Sequence, residues 1–175
     1  MLSSNSENRT TGNAVVALLD ELLNHTIRLR DLYKNARRLT ADIQFQHLRL
    51  IFEGHYKEQL RLVDILIDRI RVLGGGCHVF AGCFLQGTRF SYALRGKGSP
   101  IRLLRDLLDA HELVLSTARS STRGDAQDDS VLIRSDPAVG QVVFANDQQS
   151  RSVGEQLIPR DANSMGELHT RAGGV

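Results

Sequence analysis

The stretch FEGHYKEQLRLVDILIDRIRVLGG, Phe52 to Gly75, contains no proline and repeats its apolar residues at the helical period. Leu48, Phe52, Tyr56, Val63, Ile67 and Ile70 draw one apolar face along a helix expected over residues 41–73. Thr40 offers its N-terminal cap, and Asp42 lies where a helix start favours negative charge. Gly74, Gly75 and Gly76 end it, as glycine just past a helix does. Arg49, Glu53, Lys57, Asp64 and Asp68 follow one another by four, four, seven and four, which places them on a second, charged face. A row of carboxylates suits hard divalent cations such as Fe²⁺, Mn²⁺ and Mg²⁺. Interleaved with Arg and Lys, the same row makes a solvated, salt-bridged face. The spacing alone leaves both readings open.

Outward from this helix the pattern stays helical. Upstream, Val15, Leu19, Leu22, Thr26, Leu29 and Tyr33 form a stripe on a helix expected from a cap at Asn13 to about Leu39. Downstream, residues 77–99 carry Gly82, Gly87, Gly96 and Gly98 among Phe80, Phe84, Phe90 and Tyr92: a long connection packed by its aromatics, with room for one short helix. Ser99-Pro100 is a cap followed by proline at the first helical position. Ile101, Leu104, Leu108, His111, Leu115 and Ala118 carry that third helix to about Ser121. After a polar loop with Asp125, Asp128 and Asp129, Asp136-Pro137 opens a fourth helix bearing Val139, Val143, Val153 and Leu157. Asn146 and Ser150 weaken its inward phase, and Pro159 closes it. The expected class is all-α: a four-helix bundle whose long connection between helices two and three permits those two to run parallel, the ferritin-like topology. Residues 1–12 and 159–175 read as loose tails around a domain over 13–158.

Composition bounds the function. The chain has 175 residues, 41% hydrophobic and 24% charged, enough for one domain with a real core. Aromatics are 5% and Trp is absent, so that core is aliphatic. The 22 basic and 20 acidic residues leave a formal charge of +2, which demands no polyanionic partner. Among the basic residues only Lys34, Lys57 and Lys97 are lysines. The first dozen residues lack an apolar signal region, and no run approaches the ~20 apolar residues of a spanning helix, so a cytoplasmic, membrane-free protein is expected. Cys77 and Cys83 make no disulfide framework; with His78 they lack a fourth ligand and the usual zinc spacing, and they read as buried thiols.

The Phe52–Gly75 stretch resembles the second helix of the Dps miniferritins, the DNA-protection-during-starvation proteins, most specifically in its VD…DRIRVLGG ending. LYKNARRLTADIQFQHLRLIF (Leu32 to Phe52) keeps that family's short turn between helices one and two. SPIRLLRDLLDAHELVLSTAR (Ser99 to Arg119) is similar to its third helix, and SDPAVGQVVFANDQQSRSVGEQLI (Ser135 to Ile158) to a worn fourth. The resemblance implies a homo-oligomeric, twelve-subunit cage storing oxidised iron, with a ferroxidase centre between two subunits. One subunit supplies two His and an acid one turn on; its neighbour supplies an Asp and a Glu. The acid corresponds to Glu53 and the neighbour's pair to Asp64 and Asp68. The two His positions fall at Arg37 and Arg49, and the Trp that follows the first His is Arg38. A guanidinium has no lone pair for a metal, so an intersubunit Arg–carboxylate network in place of the metal is expected, with weakened or lost ferroxidase activity.

The resemblance also implies acidic iron-entry pores near the start of helix four, where Asp128, Asp129 and Asp136 stand. The family's DNA binding uses Lys-rich tails; here Arg9, Arg160 and Arg171 are the tails' only cationic side chains apart from His169, so DNA is a weak partner. His111 reads as a satisfied core histidine, and His47 and His55 as surface or second-interface histidines. An iron-storing cage is the favoured function. A non-catalytic structural or nucleoid-associated shell that keeps the fold is the alternative.

Overall fold

The computed structural model describes residues 3–40, 42–76, 100–120 and 136–158, with side chains from residue 13 onward except at Ile43. The tails beyond these, the connection over 77–99 with Cys77, His78 and Cys83, and the acidic loop with Asp128 and Asp129 lie outside the described residues. Four helices occupy the described chain: α1 (Ser3–Leu39), α2 (Gln46–Val72), α3 (Pro100–Ser120) and α4 (Pro137–Glu155).

Helix α1 starts well before the expected cap at Asn13, which instead sits within the helix; nothing in Ser3 to Thr11 breaks the backbone pattern. The turn after it also differs from expectation. The Thr40 hydroxyl donates back to the Ala36 carbonyl at 2.9 Å, so Thr40 closes α1 rather than capping α2. A short 3-10 turn, Ile43–Phe45, then leads into α2 at Gln46, whose N-cap Phe45 makes no side-chain capping bond. The far end of α2 fulfils the glycine expectation. The Gly75 N–H bonds the Ile70 carbonyl at 2.9 Å, and the Gly74 N–H bonds that of Arg71 at 3.0 Å. Gly74 adopts φ +78°, the left-handed conformation that closes such a helix end. At Gly75 a Cβ would stand 2.7 Å from Ile70 Cγ2 and 2.8 Å from Val16 Cγ1, so glycine there also lets α1 and α2 approach.

Helix α1 packs against α2 and α3, and α4 packs against α3 and α2, so the helices form a four-cornered bundle. Contacts fall in register as Gln59 with Gln149, Arg61 with Gln141 and Arg69 with Asp136, so α2 and α4 run antiparallel. Leu19, Leu22, Leu23, Leu29, Leu62, Leu66, Ile70 and Leu107 are fully buried, making the core aliphatic as the composition requires. On α3 the expected stripe is buried at Leu104, His111, Leu115 and Ala118, with Leu103 and Leu107 beside it, while Ile101 at its start is 54% exposed.

Candidate functional site

The three α2 carboxylates of the charged face meet different surroundings. Glu53 is half-buried, and its Oε2 lies 2.6 Å from Nε of Arg37 at the end of α1. Lys57, one turn further along α2, approaches Oε1 at 3.6 Å. The guanidinium of Arg37 also covers the Tyr56 ring, 4.8 Å from its centroid. Both Glu53 oxygens therefore face cations of the same chain, and the planar guanidinium is fixed by a carboxylate in front and a ring beneath. Arg49 and Asp64 are exposed and have no partner among the described residues. Asp68 is exposed and pairs loosely with Arg71 at 3.4 Å.

A rise of ~1.5 Å per residue separates Glu53 from Asp64 by ~16 Å along α2, too far for one ion. No cluster of three His, Cys, Asp or Glu able to hold a metal occurs among the described residues. Within one chain the donor set does not fit a metal: Glu53, the half-buried member of the three, is already paired with Arg37, and Asp64 and Asp68 are exposed.

Asp136 is placed inward rather than toward solvent, with its side chain 2% exposed. One carboxylate oxygen accepts the Ala138 N–H at 2.9 Å, capping α4 with Pro137 behind it. The other receives Nε of Arg69 at 2.7 Å, joining the end of α2 to the start of α4.

The centre of the bundle holds a polar assembly. His55 Nδ1 lies 3.0 Å from the Tyr33 hydroxyl, which lies 2.6 Å from His111 Nε2. His111 Nδ1 lies 2.9 Å from Asn146 Oδ1. Gln59 Nε2 donates to Asn146 Oδ1 at 3.3 Å and to Gln149 Oε1 at 2.8 Å. Tyr33, Gln59, His111 and Asn146 are all fully enclosed. Burial holds both imidazoles far below their ordinary range, at about 4, and pushes the Tyr33 phenol well up.

Neutrality fixes every proton. The Asn146 amide donates its N–H to the Val142 carbonyl at 2.7 Å, so its Oδ1 can only accept. His111 therefore carries its proton on Nδ1 and presents a bare Nε2, to which the Tyr33 hydroxyl donates. The phenol oxygen then accepts from His55 Nδ1–H, leaving His55 Nε2 unprotonated. Each helix contributes at least one side chain to this oriented chain of hydrogen bonds.

His111 is thus the satisfied core histidine expected from its place on an apolar stripe. His55 is not a surface histidine: it is half-buried, because the α2 residue one turn before Gln59 also faces the bundle centre. The assembly had a trace in the sequence, since His111 and Asn146 each interrupt an apolar stripe. Tyr33, Gln59 and Gln149 gave no separate signal.

A four-helix bundle with α2 and α4 antiparallel and a long segment between its second and third helices is the ferritin-like architecture. Residues 16–122 match the family model for the ferritin-like domain, and the chain belongs to that family. A curated relative from Kitasatospora aureofaciens, an uncharacterized protein in the bpoA2 5' region, is 34% identical over 106 residues, 59% of this chain and 69% of the relative. DpsC from Streptomyces coelicolor superposes with a TM-score of 0.67 at 24% identity, covering 85% of this chain and 86% of that one. Dps from Thermosynechococcus elongatus gives a TM-score of 0.68 at 17% identity, covering 89% and 97%. The fold is therefore that of the Dps proteins. No helix among the described residues is long and apolar enough to cross a membrane.

Proposed function

We propose that this protein is the subunit of a miniferritin-type cage, a homo-oligomer of about twelve chains that takes up iron and limits Fe²⁺/peroxide chemistry, with ferroxidase activity weakened or lost. Its place is the bacterial cytoplasm or nucleoid. Membership of the ferritin-like family and the Dps fold support iron as the cargo. The Arg37–Glu53 contact at 2.6 Å carries the second half of the reading. Where the family places a histidine beside a metal-binding acid, this chain has a guanidinium bonded to that acid. Asp64 and Asp68 remain exposed on α2 and are available to a neighbouring subunit. There they complete an Arg–carboxylate network that holds subunit register in place of a metal. An acidic entry for iron at Asp128 and Asp129 is what the family resemblance implies; Asp136, turned inward to cap α4 and pair with Arg69, is part of the fold rather than of that entry.

Sedimentation of the purified chain tests the cage, and iron carried by the same particle tests the cargo. The reading requires a mass near twelve times the 19.4 kDa chain and iron that cosediments after Fe²⁺ is added with oxidant. A monomer or dimer that leaves all iron in solution contradicts it. A full-size particle without iron, shifting DNA at low salt, would favour the structural or nucleoid-associated shell instead.

A further inference from the structure

Three observations converge on Tyr33. Its side chain is fully enclosed, so solvent does not reach the ring. Its hydroxyl proton points at the bare Nε2 of His111, 2.6 Å away, while the oxygen accepts from His55 Nδ1 at 3.0 Å. The chain has no Trp and three Tyr, so electron-rich rings are few. Of these, Tyr56 lies under the Arg37 guanidinium, 4.8 Å from its centroid, and that positive charge makes removal of an electron from the ring harder. Its phenol has no hydrogen-bond partner among the described residues to receive a proton.

We propose that Tyr33 is a one-electron oxidation site, a buried phenol that surrenders an electron to oxidants of the hydroxyl-radical class and its proton to His111. The oxidant gains one electron, a hydroxyl radical ending as hydroxide. The O–H bond of Tyr33 breaks, and a new N–H bond forms on His111 Nε2. His111 becomes an imidazolium whose charge balances the hydroxide, and its Nδ1–H already donates to Asn146 Oδ1. The phenoxyl oxygen retains two donors, His55 Nδ1–H and His111 Nε2–H. Moving the proton only across a hydrogen bond avoids expelling it through an apolar core. Tyr33 stands four residues, ~6 Å along α1, from Arg37, so oxidising equivalents arising near Glu53 have a short path inward. The physiological source of oxidant rests on the iron-handling reading; the chemistry at Tyr33 does not.

Iron-free assembled protein is oxidised with azide radicals generated by pulse radiolysis and followed by phenoxyl absorption and electron paramagnetic resonance. A tyrosyl radical should outlive that of the urea-unfolded chain and couple to two exchangeable protons. Tyr33→Phe should abolish the persistent signal. The double variant Tyr56→Phe/Tyr92→Phe, which leaves Tyr33 as the sole tyrosine, should retain it even if Tyr33→Phe fails to fold. Loss of the persistent radical in the double variant, or its survival in folded Tyr33→Phe, overturns the proposal. Because no iron is present, a protein that stores none can still pass, and the two readings fail separately.

Discussion

The guanidinium of Arg37, at the last turn of α1, lies 2.6 Å from the carboxylate of Glu53, near the start of α2. The short turn after Thr40 brings these helix ends together, and the contact occurs within one chain. An arginine in this position sets a cationic, bidentate-capable guanidinium against the carboxylate.

Replacing that cation should reopen the acid. Arg37→His gives Glu53 a neutral imidazole neighbour, and Arg37→His/Arg49→His adds a second. We expect Co²⁺ or Fe²⁺ affinity to rise by at least ~10-fold in the double variant, as outer-shell and ligand changes at metal sites do. Calorimetric titration of assembled protein measures it. Unchanged affinity would mean that Arg37 is not what keeps metal from Glu53. Thermal stability should change by no more than ~1 kcal/mol, because the pair is partly solvated.

Stability should fall with acid over a defined window. His55 and His111 have folded-state values of about 4, against an ordinary 6.5 in the unfolded chain. Between those values the unfolded chain binds more protons, so stability is fully present above about 6.5 and declines as pH drops toward 4. For fully buried His111 the loss amounts to ~3 kcal/mol. Urea titrations at several pH values test this. His111→Gln should flatten the slope, and an unaltered slope in that variant counts against the assignment.

Asn146→Leu should be more damaging than an exposed polar change on α4. It strips the acceptor from His111 Nδ1–H and from one Gln59 N–H, leaving enclosed donors unpaired. A cost of ~2–4 kcal/mol is expected, read as a shift of the urea midpoint. A shift under half a kcal/mol would show that the polar assembly adds little to stability.

Asp136 combines two roles that substitutions can separate. Asp136→Asn keeps an acceptor for the Ala138 N–H but removes the charge facing Arg69, while Asp136→Ala removes both. The cap is worth ~1 kcal/mol. Asp136→Ala should therefore be the more destabilising by roughly that amount. Equal losses in chemical denaturation would assign all of the effect to Arg69.

Much of the bundle was legible because its signals are local. The Leu19–Leu22–Leu29–Tyr33 stripe, the helix start at Pro100, the Asp136-Pro137 opening and the Gly74-Gly75 stop each specify backbone through nearby residues. The α1–α2 turn was misread because Thr40 can bond forward as a cap or back to Ala36, and sequence does not say which. Glu53 stands out by its spacing on the charged face of α2, whereas Arg37 is singled out only through family resemblance, since residues on different helices share no spacing rule. Their intrachain pairing needed coordinates. The inward turn of His55 was hidden for the same reason: its partner Tyr33 belongs to α1, and the charged stripe beside it drew the helix face outward.

The most direct measurement is the initial rate of Fe²⁺ oxidation by the assembled, iron-free protein, with O₂ or H₂O₂, against protein-free buffer. With Arg37 bonded to Glu53, the wild-type rate should match buffer before any mineral forms, and Asp64→Ala should not alter it. A fast, saturable oxidation phase in the wild type that disappears in Glu53→Gln or Asp64→Ala would contradict the account.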